Sequence, residues 1–275
     1  MSAQLKLNPE TDRESVLNQA EMLGPVTNAI QVTENPNGAV HISPLAASAL
    51  LIQKGIDPIL HMTCRDRNNI ALRSDLLGAE ALGITSLLIQ RGDKLHDDYR
   101  PKTNQVFDIG SKALIQAALK FSQERMSANF YIGGVITIFN PKSGWQAKSL
   151  VAKTDAGARF LQTQMCFDAE KLRRYMAELV ALRLTHRAHI VASVAILPSA
   201  EMARWVRDNV RGSVMPDAVI RRLTQAPDPE QEGIQLCAEL IQEMKEIPGI
   251  GGVNVLTPGD VATIPAAIRA AGLEN

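Results

Sequence analysis

A short apolar run followed by a stretch of helical spacing recurs along this whole chain, and few architectures accept that pattern. Strand-like runs fall at residues 5–8, 29–33, 59–64, 86–89, 129–136, 159–164, 189–197 and 253–256. Helical segments alternate with them. Thr11-Asp12-Arg13-Glu14 reads as a capping box opening a helix that ends before Gly24. Ser43-Pro44 places an N-cap and an N1 proline for the next. Further helices are expected at 69–82, 112–123, 145–156, 168–184, 199–209, 216–224, 230–246 and 260–271. Repeated βα units of roughly 30 residues imply a parallel sheet. Eight of them, with no linker or break in composition, imply a (β/α)8 TIM barrel occupying residues 1–275 as one domain. An open doubly wound sheet is the alternative. It is weakened because no glycine fingerprint follows the first strand, and Gly249-Ile250-Gly251-Gly252 stands before a strand instead.

A barrel of this kind carries its chemistry at the carboxyl ends of the strands. The stretch Gln90-Arg91-Gly92-Asp93 ends a buried strand in a glycine turn with a carboxylate. Asp93 reads there as a group that does chemistry, or else as a cap of the next loop or a partner of Arg91. The other strand ends bring up Thr33-Glu34, His61, Thr63-Cys64-Arg65-Asp66, Gln162, Gln164, Pro198-Ser199 and Thr257. His61 serves equally as a core histidine or a ligand contact. Gly133-Gly134 inside a strand lets something flat lie on the backbone, or lets a neighbouring element pack closely. Cys64 reads as a small buried filler rather than a nucleophile, because no basic partner is indicated.

Composition excludes several function classes. Lys plus Arg and Asp plus Glu both count 29, with no charged block, so recognition of nucleic acid or a membrane surface by net charge is not expected. Aromatics are only 4%, too few for base-stacking platforms. Cys64, Cys166 and Cys237 are widely spaced, with no zinc or disulfide pattern. The first residues do not read as a signal peptide and no run of 18 apolar residues occurs, so a soluble cytoplasmic protein is expected.

Three segments resemble the methylenetetrahydrofolate reductase family. They are His61-Met62-Thr63-Cys64-Arg65-Asp66-Arg67-Asn68, Leu88-Ile89-Gln90-Arg91-Gly92-Asp93, and the run from Lys153-Thr154-Asp155 through Phe160-Leu161-Gln162-Thr163-Gln164. Ile196-Leu197-Pro198 fits more weakly. The resemblance implies a barrel that carries FAD and passes a hydride from NADH or NADPH to methylenetetrahydrofolate. It also implies a homo-oligomer. On this resemblance Asp93 faces both flavin and pterin, and Gln164 contacts the folate. Thr33, His61, Arg91 and Gly92 contact the flavin, Gly133 lies under the cofactor, and Lys153 holds its phosphate region. Met202 stands where the family often has an aromatic that packs on folate or nicotinamide.

The chain departs from the pattern at one catalytic position. The family's first strand supplies a glutamate as general acid, and here Lys6 takes its place. Glu34, or else Glu10, is the expected substitute carboxylate. Gln146, Ser149 and Ala152 stand where the family tends to place polar FAD contacts, and Ile136-Thr137-Ile138-Phe139 lacks the Tyr and His of some members. The alternative expectation is a reductase-like subunit that binds flavin or folate and needs a partner for catalysis.

Overall fold

The computed structural model describes residues 1–125 and 127–273. The strands β1 Ser2–Gln4, β2 Ala29–Val32, β3 Pro58–Thr63, β4 Ser86–Gln90, β5 Tyr131–Ile136, β6 Phe160–Met165, β7 His189–Ala195 and β8 Ile250–Leu256 pair in sequence order. Every pairing is parallel, and β1 closes the barrel on β8 at Ser2↔Asn254 and Ala3↔Val255. Helices α1 Arg13–Leu23, α2 Pro44–Gln53, α3 Asn69–Ala81, α4 Ser111–Glu124, α5 Lys148–Asp155 and α6 Ala169–Ala181 follow the first six strands. Three helices, α7 Ala200–Asn209, α8 Asp217–Gln225 and α9 Pro229–Lys245, lie between β7 and β8, and α10 Thr263–Ala270 follows β8.

Alternation along the strands separates two cores. Ile30, Val32, Leu60, Met62, Leu87, Ile89 and Leu161 are buried in the main apolar cluster with α-helical residues such as Leu51, Leu76, Ile115 and Leu172. The residues between them point into the barrel. Barrel interiors are usually layers of branched apolar side chains. Here Gln31, His61, Gln162, Ser193 and Asn254 lie there, all buried. Gln31 of β2 and Gln162 of β6 meet side chain to side chain across the barrel, which fixes their inward direction.

Helix starts follow local chemistry. Asp12, Asn68, Asp168, Ser199 and Asp228 each accept a backbone N–H from the first turn. The first cap is therefore Asp12, not Thr11, whose hydroxyl instead joins an Asn8 turn. Several element boundaries also differ from expectation, three of them with a visible cause. The first strand is Ser2–Gln4 rather than 5–8; Leu5 still bonds Gln31, but Lys6 turns to the Gln19 side chain. The last strand begins at Ile250, because pairing with β7 overrides the breaker signal of Gly251 and Gly252. Helix α5 starts only at Lys148, since Ala147 adopts a left-handed φ of 49°.

Candidate active site

A cleft of about 510 Å³ opens at the carboxyl ends of the strands. Thr33, Glu34, His61, Asp93 and Gln164 all line it, so five residues spread over four strands and 130 positions of sequence converge. Lys6 lines it too, from β1's continuation, with Thr257 and Pro258 beyond β8. The volume is within the usual range of small-ligand sites.

Asp93 reaches the cleft because of Gly92. That glycine has φ +82°, and a Cβ there would stand 3.0 Å from the Arg65 Cβ and 3.2 Å from that of Thr63. Only glycine lets the chain leave β4 so close to β3. Among the described residues the Asp93 carboxylate forms no salt bridge, and the Arg91 guanidinium lies 4.5 Å over the Phe107 ring instead. The ion-pair reading of Asp93 is thus removed. What holds the turn is Arg65, 2% exposed, a residue that the sequence places at a strand end without a role. Its guanidinium donates to both carboxylate oxygens of Asp66, at 2.6 and 2.7 Å, and to Asn35 O at 2.8 Å, with a longer contact of 3.4 Å to Asp93 O. One buried cation therefore ties together the loops after β2, β3 and β4. The Arg-Asp pair was visible in sequence, but its burial was not.

Glu34 is 4% exposed. One carboxylate oxygen accepts the Thr63 N–H and the other accepts the Arg67 guanidinium, which also holds Asp75. A carboxylate committed to a cation and a backbone donor is an acceptor and a clamp, poorly suited to deliver a proton. Lys6 is exposed, and its ammonium donates to Gly259 O at 2.8 Å, bridging β1 to the loop after β8.

His61 lies wholly buried at the cleft floor, and desolvation pushes its imidazole down to about 3, so the ring is neutral. Cys64 is raised to about 11, burial outweighing the nearby Arg91, which suits a packing role. Gln164 and Met165 line the cleft from the end of β6.

Five expected contacts do not line the cleft: Arg91 and Gly92 form the turn before Asp93, and three others lie elsewhere. Gly133 faces the Phe160 ring, whose atoms come within 2.2 Å of where a Cβ would be, so close packing between β5 and β6 accounts for this glycine. Lys153 runs along β5 past Gly134 and donates its ammonium to Val135 O, and burial lowers its pKa. Met202 sits half-buried in the first turn of α7 and does not line the cleft. The aromatic of that helix that does is Trp205, 49% exposed, with Val206 and Val210 beside it and Arg211 following. Position along the helix could have found Trp205, since residues 202, 205, 206 and 209 share one face.

A flat heterocycle suits this cleft on one structural ground beyond size. Among the described residues the buried polar atoms His61 Nδ1, Ser193 Oγ and Asn254 Nδ2, all on residues of the cleft lining, have no hydrogen-bond partner, as at a site that a polar ligand completes. Among the described residues no helix is long and apolar enough to cross a membrane.

Comparison with known proteins agrees with the barrel fold. The family model described as methylenetetrahydrofolate reductase matches residues 9–257. A probable methylenetetrahydrofolate reductase (NADPH) from Caenorhabditis elegans is 22% identical over 241 residues, 82% of this chain. The chain spans only 34% of that relative's length. Among solved structures, an uncharacterized protein from Clostridium thermocellum that binds two copies of 5-methyl-5,6,7,8-tetrahydrofolic acid superposes with a TM-score of 0.68 at 12% identity, covering 98% of this chain and 92% of that one. A 2,3-dimethylmalate lyase of the PEP mutase/isocitrate lyase superfamily gives 0.52 at 13% identity, over 99% and 79%. These two likenesses concern the barrel alone. The family model covers nearly the whole barrel and every cleft residue from Thr33 to Thr257, and on that match the chain belongs to the methylenetetrahydrofolate reductase family.

Proposed function

We propose that this barrel is an FAD-dependent oxidoreductase interconverting methylenetetrahydrofolate and methyltetrahydrofolate, with NADH or NADPH as the hydride partner. The observation that carries the reading is the convergence of Thr33, His61, Asp93 and Gln164 on one cleft of a chain in this family. Bound FAD would supply the hydride relay between nicotinamide and folate. Thr33 and His61 would hold its ring system from the floor, while Arg91 and Gly92 shape the adjoining turn. Lys153 would serve the phosphate region only by leaving Val135 O. The Asp93 charge, free of a salt bridge, opposes accumulation of negative charge beside it and so favours hydride departure. Gln164 and Trp205 would orient the folate, the first by its amide and the second by its ring face. The barrel, residues 1–275, is read as one catalytic unit of a homo-oligomeric cytoplasmic enzyme.

One observation favours a second reading. Among the described residues two carboxylates line the cleft; Glu34 is bound to Arg67 and Asp93 is required as an anion. With Lys6 at the acid position, the chain suits a flavin- or folate-binding subunit that depends on a partner for turnover.

One experiment separates these. The purified protein is examined for bound flavin, reduced anaerobically with NADH and with NADPH, and then mixed with methylenetetrahydrofolate. The first reading expects one FAD per chain and reoxidation by the folate. Protein that stays colourless and takes up no added FAD overturns it. Reduction without reoxidation transfers support to the partner-subunit reading.

A further inference from the structure

Beneath the cleft the barrel interior carries a directed run of hydrogen bonds. The Ser2 hydroxyl donates to Asn254 Oδ1 at 3.0 Å and accepts from Gln31 Nε2 at 3.1 Å. Gln31 and Gln162 bond reciprocally, Nε2 to Oε1 at 2.6 Å and Oε1 from Nε2 at 2.9 Å. At the far end His61 Nε2 lies 3.1 Å from Gln31 Oε1. An amide oxygen only accepts, so Nε2 must carry the imidazole proton. Burial keeps the ring neutral, with its pKa near 3. The proton cannot then also be on Nδ1, which remains a bare lone pair without a partner. Gln31, His61 and Gln162 are all at least nine-tenths buried, and among the described residues no charged side chain bonds any of them.

Polar groups in a barrel core are costly unless they are satisfied. Most of this run is satisfied; among the described residues His61 Nδ1 at one end and Asn254 Nδ2 at the other have no partner. We infer that Gln31, braced by Gln162, is a positioning residue that fixes the His61 tautomer, so that His61 meets a ligand of the cleft as a neutral ring with its Nε2–H engaged from beneath. The inference deepens the reading of the cleft as a flavin and folate site and rests on it for the identity of that ligand. Gln31 is not itself in the cleft lining; it acts through His61.

The test has a ligand-independent arm and a ligand arm. Protein labelled with ¹⁵N-histidine is examined by two-bond ¹⁵N–¹H spectroscopy between about pH 5 and 8, with His61 assigned from its absence in His61→Asn. The expected result is an unprotonated Nδ1 and a protonated Nε2 that do not change with pH. A protonated Nδ1, or a ring that titrates in this window, overturns the inference. In the ligand arm, FAD affinity is measured for wild type, Gln31→Leu and Gln31→Glu. Gln31→Leu should give mixed tautomers and roughly tenfold weaker FAD binding, the loss of about one hydrogen bond. Gln31→Glu keeps an acceptor oxygen against Nε2 and should retain the protonated Nε2. Unchanged tautomer and affinity in Gln31→Leu refute the positioning role. If wild type takes up no FAD, the flavin reading fails, while the spectra still decide whether Gln31 sets the tautomer.

Discussion

Glu34→Gln distinguishes a structural clamp from a relocated acid. The amide retains an oxygen for the Thr63 N–H but gives up the charge facing Arg67, which keeps Asp75. A hydrogen bond to a charged group contributes about 1.5–3 kcal/mol and a neutral one about 1, so the change should cost about 1–2 kcal/mol. For a chain of this size that lowers the melting temperature by roughly 2–8 °C. Glu34→Ala also strands the buried Thr63 N–H and should cost about 3–5 kcal/mol. Thermal melts followed by circular dichroism read the stability, and anaerobic stopped flow reads the folate half-reaction separately from flavin reduction. The clamp reasoning expects Glu34→Gln to melt earlier while its folate step stays within about threefold of wild type. An unchanged melt with the folate step slowed about a hundredfold or more, the scale of a lost general acid, would refute it.

Asp93→Asn should slow the folate half-reaction by roughly 10²–10³ while leaving flavin reduction nearly intact, as stopped flow would show; equal slowing of both returns Asp93 to a loop-capping role. Gly92→Ala forces a side chain into a left-handed φ against Arg65 and should cost at least about 1–2 kcal/mol in a urea titration, with weaker flavin binding. Trp205→Ala should weaken methyltetrahydrofolate binding roughly two- to tenfold by calorimetry with no loss of stability, since the ring is half exposed. His61 is held near 3 against an unfolded value of 6.5, so between those pH values the unfolded chain binds a proton that the native one refuses. Stability should therefore fall with decreasing pH through that window, by up to about 1.4 kcal/mol per unit from this group, and His61→Asn should flatten that part of a stability–pH curve.

The barrel was legible because its signals are local and repeated. Alternating βα periodicity, caps such as Asp168 and Ser199, and the Gly24 stop each speak for one element, and eight concordant units leave little choice of topology. The misreadings occur where tertiary pairing competes with local preference. Gly251 and Gly252 look like breakers, yet Gly252 pairs with Val191 on an adjacent strand. Residues 5–8 look like a strand, yet β1 is complete by Gln4, and Lys6 is drawn away by Gln19 and Gly259.

The site was legible only as far as strand ends could reveal it. Thr33, His61, Asp93 and Gln164 each terminate or nearly terminate a strand, so the barrel topology alone gathers them. Burial and pairing, which sequence does not carry, decided the remaining positions. Glu34 and Asp93 are both acids just past strand ends. One is clamped by Arg67 and the other, among the described residues, has no salt bridge, because Arg67 lies on the β3 loop facing β2 while Arg91 is engaged with Phe107. Gly133 lies inside β5 and Gly92 just past β4; one makes room for Phe160 and the other for the turn that carries Asp93. The polar interior follows the same logic one layer down. Gln31 and Gln162 sit more than a hundred residues apart and are unremarkable singly; only closure of the barrel makes them a pair, and only the pair gives His61 Nε2 a fixed acceptor.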